Sequence, residues 1–195
     1  MKPLLYLDVD GPLNPYGAKP EKRPAGYETH RLTPAAWLER HPNTPPMRVK
    51  PLRVWLNPAH GPALLALTDV FELVWATTWE HDANTMIGPR IGLPKLPVVQ
   101  FPGTKRFGPE GTFFKTAPLI EYAAGRPFAW VDDDISTRDR RYVDTEHAGA
   151  ALLHYVDPAK GLLDEDFQVL AEWAAANARP TQSDTGSMRN NLRGN

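Results

Sequence analysis

Short, uninterrupted apolar runs recur along the chain and alternate with segments whose apolar residues recur at helical spacing. The first run, Leu4 to Val9, shows no polar alternation, which is typical of a strand that is buried on both faces. Further strands are predicted at 71–76, 96–101, 127–131 and 150–156, and helices at 79–87, 115–124 and 164–177. Strands that alternate with helices predict an α/β fold, in which a Rossmann-like parallel sheet is flanked by helices through right-handed crossovers.

The segment that follows the first strand breaks this alternation. Residues 12–51 contain nine prolines and little periodicity, and only Pro34 to Arg40 is expected to form a helical turn or two. Apolar residues return at 54–56, before a helix that Asn57 is expected to cap. Because loops of this length in compact domains are usually functional or disordered, we expect residues 12–52 to be a proline-rich lid inserted after the first strand.

Length and composition set the outer limits of the interpretation. A chain of 195 residues suits one domain, expected at 1–178, and the polar composition from Arg179 onward predicts a disordered tail at 179–195. The sequence has no cysteine, so any metal must be bound by oxygen or imidazole ligands. No apolar run approaches the roughly 18 residues of a membrane span, and the N-terminus lacks a signal-peptide pattern. We therefore expect no membrane partner and a cytoplasmic location.

Charge is unevenly distributed although the net charge is only −1. From Pro12 to Arg53 there are eight lysines and arginines against three acids, a balance that would attract an anionic substrate. Tyr16, Tyr27 and Trp37 lie in the same segment and could stack on nucleic-acid bases. The alternative is that the basic residues keep a proline-rich loop soluble and the aromatic residues attach it to the domain.

Polar and charged residues follow several of the predicted strands at the point where each strand ends. The set comprises Asp8, Asp10, Thr77, Thr78, Asp132, Asp133 and Asp134. Ligands of open α/β sheets bind beyond the carboxyl ends of the strands, so these side chains are expected to meet in one crevice. Lys115 opens a predicted helix, where a cation opposes the helix dipole, and its ammonium can reach the same crevice.

Phosphoryl transfer suits this set of groups. Converging carboxylates repel one another unless a cation lies between them, and hard oxygen ligands suit Mg²⁺, which can neutralise and orient a phosphoryl group. One carboxylate can attack phosphorus and form an aspartyl-phosphate, while a second protonates the leaving oxygen and later deprotonates water. Threonine hydroxyls and a lysine ammonium can hold the phosphoryl oxygens. The sequence therefore predicts a Mg²⁺-dependent phosphohydrolase.

The order of these residues resembles the four motifs of the haloacid dehalogenase (HAD) superfamily, over roughly residues 3–177. Asp8-Val9-Asp10-Gly11 resembles the first motif, Thr77 the second, Lys115 the third and Asp132-Asp133 the fourth. The resemblance implies the HAD fold and phosphatase activity, since the dehalogenases of the superfamily lack the second carboxylate of the first motif.

The resemblance also implies a role for each matched residue. Asp8 would be the nucleophile and Asp10 the general acid and base, while Thr77, Thr78 and Lys115 would bind the phosphoryl group. Asp8, the carbonyl of Asp10 and Asp133 would hold Mg²⁺. The run of three aspartates leaves Asp132 and Asp134 as alternative ligands, and a spaced variant would use Asp134 with Asp139.

Two further features concern the turn after the nucleophile and the substrate. Pro12 stands where the superfamily usually has a small or β-branched residue, so the sequence leaves the geometry of that turn open. The stretch Asp-Gly-Pro-Leu-Asn-Pro, with Trp-Ala-Thr-Thr-Trp and Val-Asp-Asp-Asp, resembles the HAD domain of bacterial multi-enzyme RNA-repair proteins. That narrower resemblance implies nucleotides or nucleic-acid ends as the phosphorylated substrate.

Two other functions remain compatible with the sequence. One is a phosphate- or nucleic-acid-binding module that keeps the fold without turnover, and the other is a phosphotransferase. Asp10 favours an enzyme over the binding module, because a protein that only binds phosphate does not need the second carboxylate.

Overall fold

The centre of the fold is a four-stranded parallel sheet. The structure, a computed structural model, describes residues 1–101, 103 and 107–177. Its strands, in chain order, are β1 (Leu4–Leu7), β2 (Glu28–Leu32), β3 (Leu52–Leu56), β4 (Glu72–Trp75), β5 (Phe128–Asp132) and β6 (Ala151–Tyr155). The parallel sheet has the spatial order β4-β1-β5-β6, and β2 pairs with β3 in a separate antiparallel hairpin.

Helices cover both faces of the parallel sheet. They are α1 (Ala35–Glu39), α2 (His60–Ala66), α3 (Gly88–Ile91), α4 (Thr116–Ala123), α5 (Thr137–Glu146) and α6 (Asp164–Asn177). Short 3-10 turns lie at Pro46–Arg48, Leu67–Asp69 and Pro109–Gly111, and a π-helical turn lies at Ala83–Ile87. The predicted α/β class, with a parallel sheet flanked by helices, is confirmed.

Successive residues of the central strands pack on opposite sides of the sheet. In β1, Leu5 and Leu7 belong to one hydrophobic cluster, whereas Leu4 and Tyr6 belong to another. The first cluster includes side chains of α2 and α6, and the second includes side chains of α4 and α5. Burial on both faces explains why the strands are apolar throughout instead of alternating.

The prediction of an irregular segment at 12–51 was wrong in one respect, because β2 lies within it. Leu32 of β2 and Val54 and Leu56 of β3 enter the same core cluster as α2 and α6. Thr29 and Arg31 of β2 lie on the opposite, outer face. A strand with so few large apolar residues gives little alternation to detect, which is why the sequence did not reveal it.

Two predicted elements differ from the structure, one in length and one in position and helix type. The strand at 96–101 is reduced to one bridge, in which Val98 pairs with Trp75 of β4, and Pro97 cannot donate to a ladder. The helix at 79–87 is replaced by the π-helical turn and α3, where the side chain of Asn84 bonds the backbone of Leu96.

The remaining predicted helices and strands agree with the structure to within one or two residues. Helix 164–177 is confirmed at both ends, whereas α5 was not anticipated because its residues are mostly charged. The predicted tail at 179–195 lies outside the described residues, and the single domain at 1–178 stays a prediction.

Candidate active site

A buried lysine lies between two aspartates at the carboxyl edge of the sheet. Asp8 follows β1, Asp132 ends β5 and Lys115 directly precedes α4. The Lys115 ammonium lies 2.8 Å from Asp8 Oδ2 and 2.7 Å from Asp132 Oδ2, and all three side chains are buried. Burial acts to lower the pKa of Lys115, but the carboxylates of Asp132 and Asp8 outweigh it and hold the pKa above its ordinary value. Lys115 therefore carries its charge inside the protein.

Burial and the Lys115 ammonium act on the pKa of Asp8 in opposite directions. Asp8 Oδ1 accepts a hydrogen bond from the backbone N–H of Val9 at 2.8 Å. Burial raises the pKa of Asp8, the Lys115 ammonium lowers it, and Asp132 and Asp10 raise it again. The ionised, nucleophilic form of Asp8 consequently depends on positive charge nearby.

Asp8, Asp132 and Asp133 form an acidic cluster in which one oxygen of each lies within 4.8 Å of the others. Lys115 offsets only one of the three negative charges, so the remaining negative charge favours a divalent cation at the cluster. Burial, as the largest cause, raises the pKa of Asp133 to about 6; the hydrogen bond from Tyr16 lowers it, and the charges of Asp132 and Asp134 raise it. A set of carboxylate oxygens at this spacing fits the ligand preference of Mg²⁺.

The three consecutive aspartates, Asp132, Asp133 and Asp134, differ in their hydrogen bonds and in their position relative to the acidic cluster. Asp132 accepts hydrogen bonds from Lys115, from the Trp130 indole and from the backbone N–H of Asp134. Asp133 accepts a 2.8 Å hydrogen bond from the exposed Tyr16 hydroxyl. Asp134 lines the cleft but is not part of the acidic cluster. Asp133 is thus the cluster member best able to serve with Asp8 as a metal ligand.

Asp139 has a structural position instead of one in the cleft. Its oxygens accept hydrogen bonds from the Phe113 backbone, the Thr116 hydroxyl and the Ser136 backbone and hydroxyl. Burial acts to raise the pKa of Asp139, and these hydrogen bonds outweigh it and lower the pKa. The alternative metal pair of Asp134 with Asp139 is therefore not supported.

Asp10 is held at the mouth of the cleft by two donors. Asn14 Nδ2 donates to Asp10 Oδ1 at 2.8 Å, and the Trp79 indole donates to Oδ2 at 2.9 Å. Asn14 Oδ1 in turn accepts from the backbone N–H of Trp55 in β3, at 2.9 Å. These contacts fix the carboxylate in one orientation and link it to the β2–β3 hairpin.

The turn after Asp10 has a defined geometry that accommodates Pro12. Asn14 and Leu13 donate backbone hydrogen bonds to the carbonyl of Val9, and Gly11 donates to that of Asn14. The Pro12 carbonyl accepts from Leu162 at 2.8 Å. Since none of these bonds requires an N–H at position 12, proline is compatible with the turn.

The two threonines after β4 differ in their access to the cleft. Thr77 is fully buried, and its hydroxyl accepts from the backbone N–H of Trp79 at 3.3 Å. Thr78 lines the cleft together with Asp8 and Lys115. Of the two threonines predicted to bind phosphate, Thr78 is therefore the one that has access to the cleft.

The cleft beyond the carboxylates has a volume of about 500 Å³ and mixes aromatic with basic side chains. Tyr16, Trp37, Arg40, Arg53, Phe113 and Phe114 contribute to its lining. Tyr27 does not, because it is buried against His60 and donates to the Lys160 carbonyl. The prediction that all three aromatic residues of the segment are available for stacking is wrong for Tyr27, which attaches the segment to the core.

The contacts that several residues make at the site were not anticipated from the sequence. Asn14, Trp79 and Arg53 touch or line the cleft, and Asp139 positions the start of α4. Only Asp139 has a sequence signal, the capping box that it forms with Ser136 at the start of α5. Trp79 and Arg53 are brought to the cleft by tertiary contacts, whereas Asn14 reaches Asp10 within the same turn.

Comparison of the chain with protein-family models, with curated proteins and with solved structures found no match. Among the described residues, no helix has the length and apolar character needed to cross a membrane.

Proposed function

We propose that this protein is a Mg²⁺-dependent phosphohydrolase in which Asp8 forms an aspartyl-phosphate. The observation that carries the proposal is the position of Asp8, whose oxygens lie beside the Lys115 ammonium and within 4.8 Å of ligand oxygens of Asp132 and Asp133. A nucleophilic carboxylate next to both a fixed cation and a divalent-metal ligand set is the arrangement that phosphoryl transfer requires.

Each step uses a group that the cleft presents. Asp8 attacks phosphorus while the leaving oxygen takes a proton from Asp10; Asp10 then deprotonates water, which attacks the phosphorus and frees Asp8. Lys115 and Thr78 hold the phosphoryl oxygens. Asp8, Asp133 and the Asp10 carbonyl would hold Mg²⁺, which when bound neutralises charge on the phosphoryl group.

Membership of the HAD superfamily is part of the same proposal. Its support is the convergence of the four motif segments, since Asp8, Thr78, Lys115 and Asp133 line one cleft at the carboxyl edge of the sheet. The segment at 12–52 would act as the lid, because Tyr16, Trp37 and Arg40 line the same cleft as the carboxylates.

Nucleotides and nucleic-acid ends are the phosphorylated substrates that we propose. Trp37, Arg40 and Thr78 line both the cleft of about 500 Å³ and a smaller hollow beside Asp10, so a leaving group in the cleft would lie against them. An indole and a guanidinium suit a flat group such as a base, by stacking, or a neighbouring phosphate. The proton donor Asp10 would then face the oxygen to which that group is attached.

Phosphate release from an aryl phosphate and a nucleotide panel tests the proposal. We expect release that requires Mg²⁺, that stops in EDTA, and that falls at least about 10³-fold in Asp8→Asn, because the nucleophile is lost. Asp144→Asn, an equal change at an exposed residue of α5, is the matched control and should retain activity. Undiminished release by Asp8→Asn would exclude Asp8 as nucleophile.

A further inference from the structure

The outer face of the β2–β3 hairpin carries a group of arginines that the mechanism above does not use. Arg31 in β2 lies directly opposite Arg53 in β3, and Arg23 approaches the neighbouring pair formed by Thr29 and Trp55. We call Arg23, Arg31 and Arg53 the arginine patch. The patch surrounds an open hollow of about 430 Å³ that Pro20, Glu21, Thr29 and Trp55 also line.

Placing Arg31 opposite Arg53 is unfavourable unless an anion lies between them. Like charges at directly opposed positions of an antiparallel pair destabilise the sheet. In the part of the chain that the structure describes, no carboxylate forms an ion pair with any member of the arginine patch, Glu21 and Glu28 included. The charge of the patch is therefore open to a ligand.

Two of the guanidinium groups are held in place by the hairpin itself. Arg53 lies over the Trp55 ring, with its guanidinium carbon 3.8 Å from the ring centroid. Arg23 Nη1 donates to Thr29 Oγ1 at 2.9 Å, and the Trp55 indole donates to the same oxygen at 3.0 Å. Guanidinium groups that are ordered before binding lose less entropy when they bind a phosphate, and their planar forks match phosphate geometry.

Arg53 joins the arginine patch to the active-site cleft. It lines the cleft that contains Asp8 and Lys115, and it also lines the hollow that contains Arg23 and Arg31. A chain of linked phosphates that begins in the cleft would meet Arg53 first and the other two arginines beyond it.

We propose that the arginine patch binds the further phosphate groups of an extended substrate whose terminal phosphate lies at Asp8. This inference rests on the proposed function for the identity of the terminal site. It adds that the preferred substrate carries a row of phosphates, and it assigns their binding to Arg53 at the edge of the cleft and to Arg23 and Arg31 outside it.

Two indole N–H signals can report the two ends of such a ligand separately. The Trp55 indole donates to Thr29 beside the arginine patch, and the Trp37 indole, in the cleft, donates to the Lys50 carbonyl. We would titrate the ¹⁵N-labelled full chain carrying Asp10→Asn, in Mg²⁺, with orthophosphate and with a short-chain inorganic polyphosphate, after assigning the signals by Trp→Phe substitution. Asp10→Asn removes the general acid and so suppresses turnover, while Mg²⁺ offsets the carboxylates that would otherwise repel the terminal phosphate.

With polyphosphate we expect the Trp37 and Trp55 signals to shift with one common midpoint. Arg31→Gln should raise that midpoint at least about threefold for both signals, because one ligand spans both sites. The same variant should leave the orthophosphate midpoint at Trp37 unchanged, since Arg31 does not line the cleft. Arg48→Gln removes an exposed charge from the same segment outside both linings, and as the matched control it should change the midpoints by less than about twofold.

Equal effects of Arg31→Gln and Arg48→Gln would mean that the arginines only provide general positive charge, and would overturn the proposal. Separate midpoints at Trp37 and Trp55, or no saturable shift at Trp55, would overturn it as well. The proposed hydrolysis fails by a different result, namely undiminished phosphate release by Asp8→Asn, so the two failures are distinguishable.

Discussion

Gly11 couples the turn after Asp10 to the acidic cluster. Its φ of +90° lies in the region that favours glycine, and a Cβ at this position would lie 2.5 Å from Asp133 Cγ. The backbone therefore passes so close to Asp133 that the side chain at position 11 decides where that carboxylate can lie.

Gly11→Ala is expected to displace Asp133 from the acidic cluster and to raise the Mg²⁺ concentration for half-maximal activity at least about tenfold. Gly92→Ala is the matched control, because Gly92 has a similar φ of +81° but nothing within 4 Å of its Cβ position. Phosphate release measured against Mg²⁺ concentration, with thermal unfolding to compare folding, tests this. Equal effects of the two variants would assign the loss to backbone strain alone.

Residue types at strand ends could be predicted, whereas the contacts that orient them could not. Asp8, Asp10, Lys115 and the aspartate run stand out because each follows or opens an apolar element. The bond from Trp79 to Asp10 joins residues 69 positions apart, and no local pattern encodes such a contact.

At the scale of elements, Asp139 joins the starts of two helices. It caps α5 through Ser136 and accepts from Thr116 in the first turn of α4. Lys115 directly precedes that turn, so the position of its ammonium depends on a carboxylate outside the cleft.

Asp139→Asn is expected to lower the free energy of unfolding by about 2–4 kcal/mol, because an amide N–H₂ would face donors that now share a carboxylate. The pKa of Asp139 is lowered in the folded state, so the stability it provides is present at neutral pH and is lost as pH falls below about 3.9. Denaturant unfolding at pH 7 measures the loss. Asp144→Asn in the exposed part of α5 should change stability little, and a similar loss there would contradict the assignment.

Elements with strong apolar periodicity could be predicted from the sequence, and those stabilised by polar contacts could not. The strands β1, β4 and β5 are defined by runs of buried side chains, and α6 by an apolar stripe in which Phe167, Ala171 and Trp173 pack on the core beside Leu170 and Ala174. In β2, by contrast, only Leu32 is fully buried, and α5 buries only Asp139 and Val143. The pairing with β3 stabilises β2, and the capping box stabilises α5. Neither contact produces the apolar periodicity from which elements are predicted.

At the scale of the whole molecule, His60 of α2 connects the inserted segment, through Tyr27, to α6, through Phe167. Its Nε2 lies 3.1 Å from the Leu162 carbonyl, and its ring contacts Tyr27 and Phe167. Nε2 therefore donates, and Nδ1 is a buried atom without a hydrogen-bond partner among the described residues. Burial lowers the pKa of His60, because a second proton would have no acceptor.

The contribution of His60 to the free energy of unfolding is expected to fall as pH drops below about 6.5, the pKa of histidine in the unfolded chain. The folded state resists protonation of His60 while the unfolded state accepts it, so each pH unit costs up to about 1.4 kcal/mol. His60→Gln should flatten the pH dependence of the unfolding free energy between pH 7 and 5, and the exposed His81→Gln should leave it unchanged. Identical pH profiles for His60→Gln and the wild type would contradict this role.

The inner face of the β2–β3 hairpin limits how the protein can be re-engineered. Leu32, Val54 and Leu56 fill the core, so excising the segment between β1 and β3 would unpair β3 and open the interior. Each exposed aliphatic side chain would then cost about 1.5–3 kcal/mol, so the truncated chain would misfold instead of keeping its fold with an open cleft. Helix α1 has no buried residue, which makes Trp37 and Arg40 the positions at which the cleft can be widened while the folding unit stays whole.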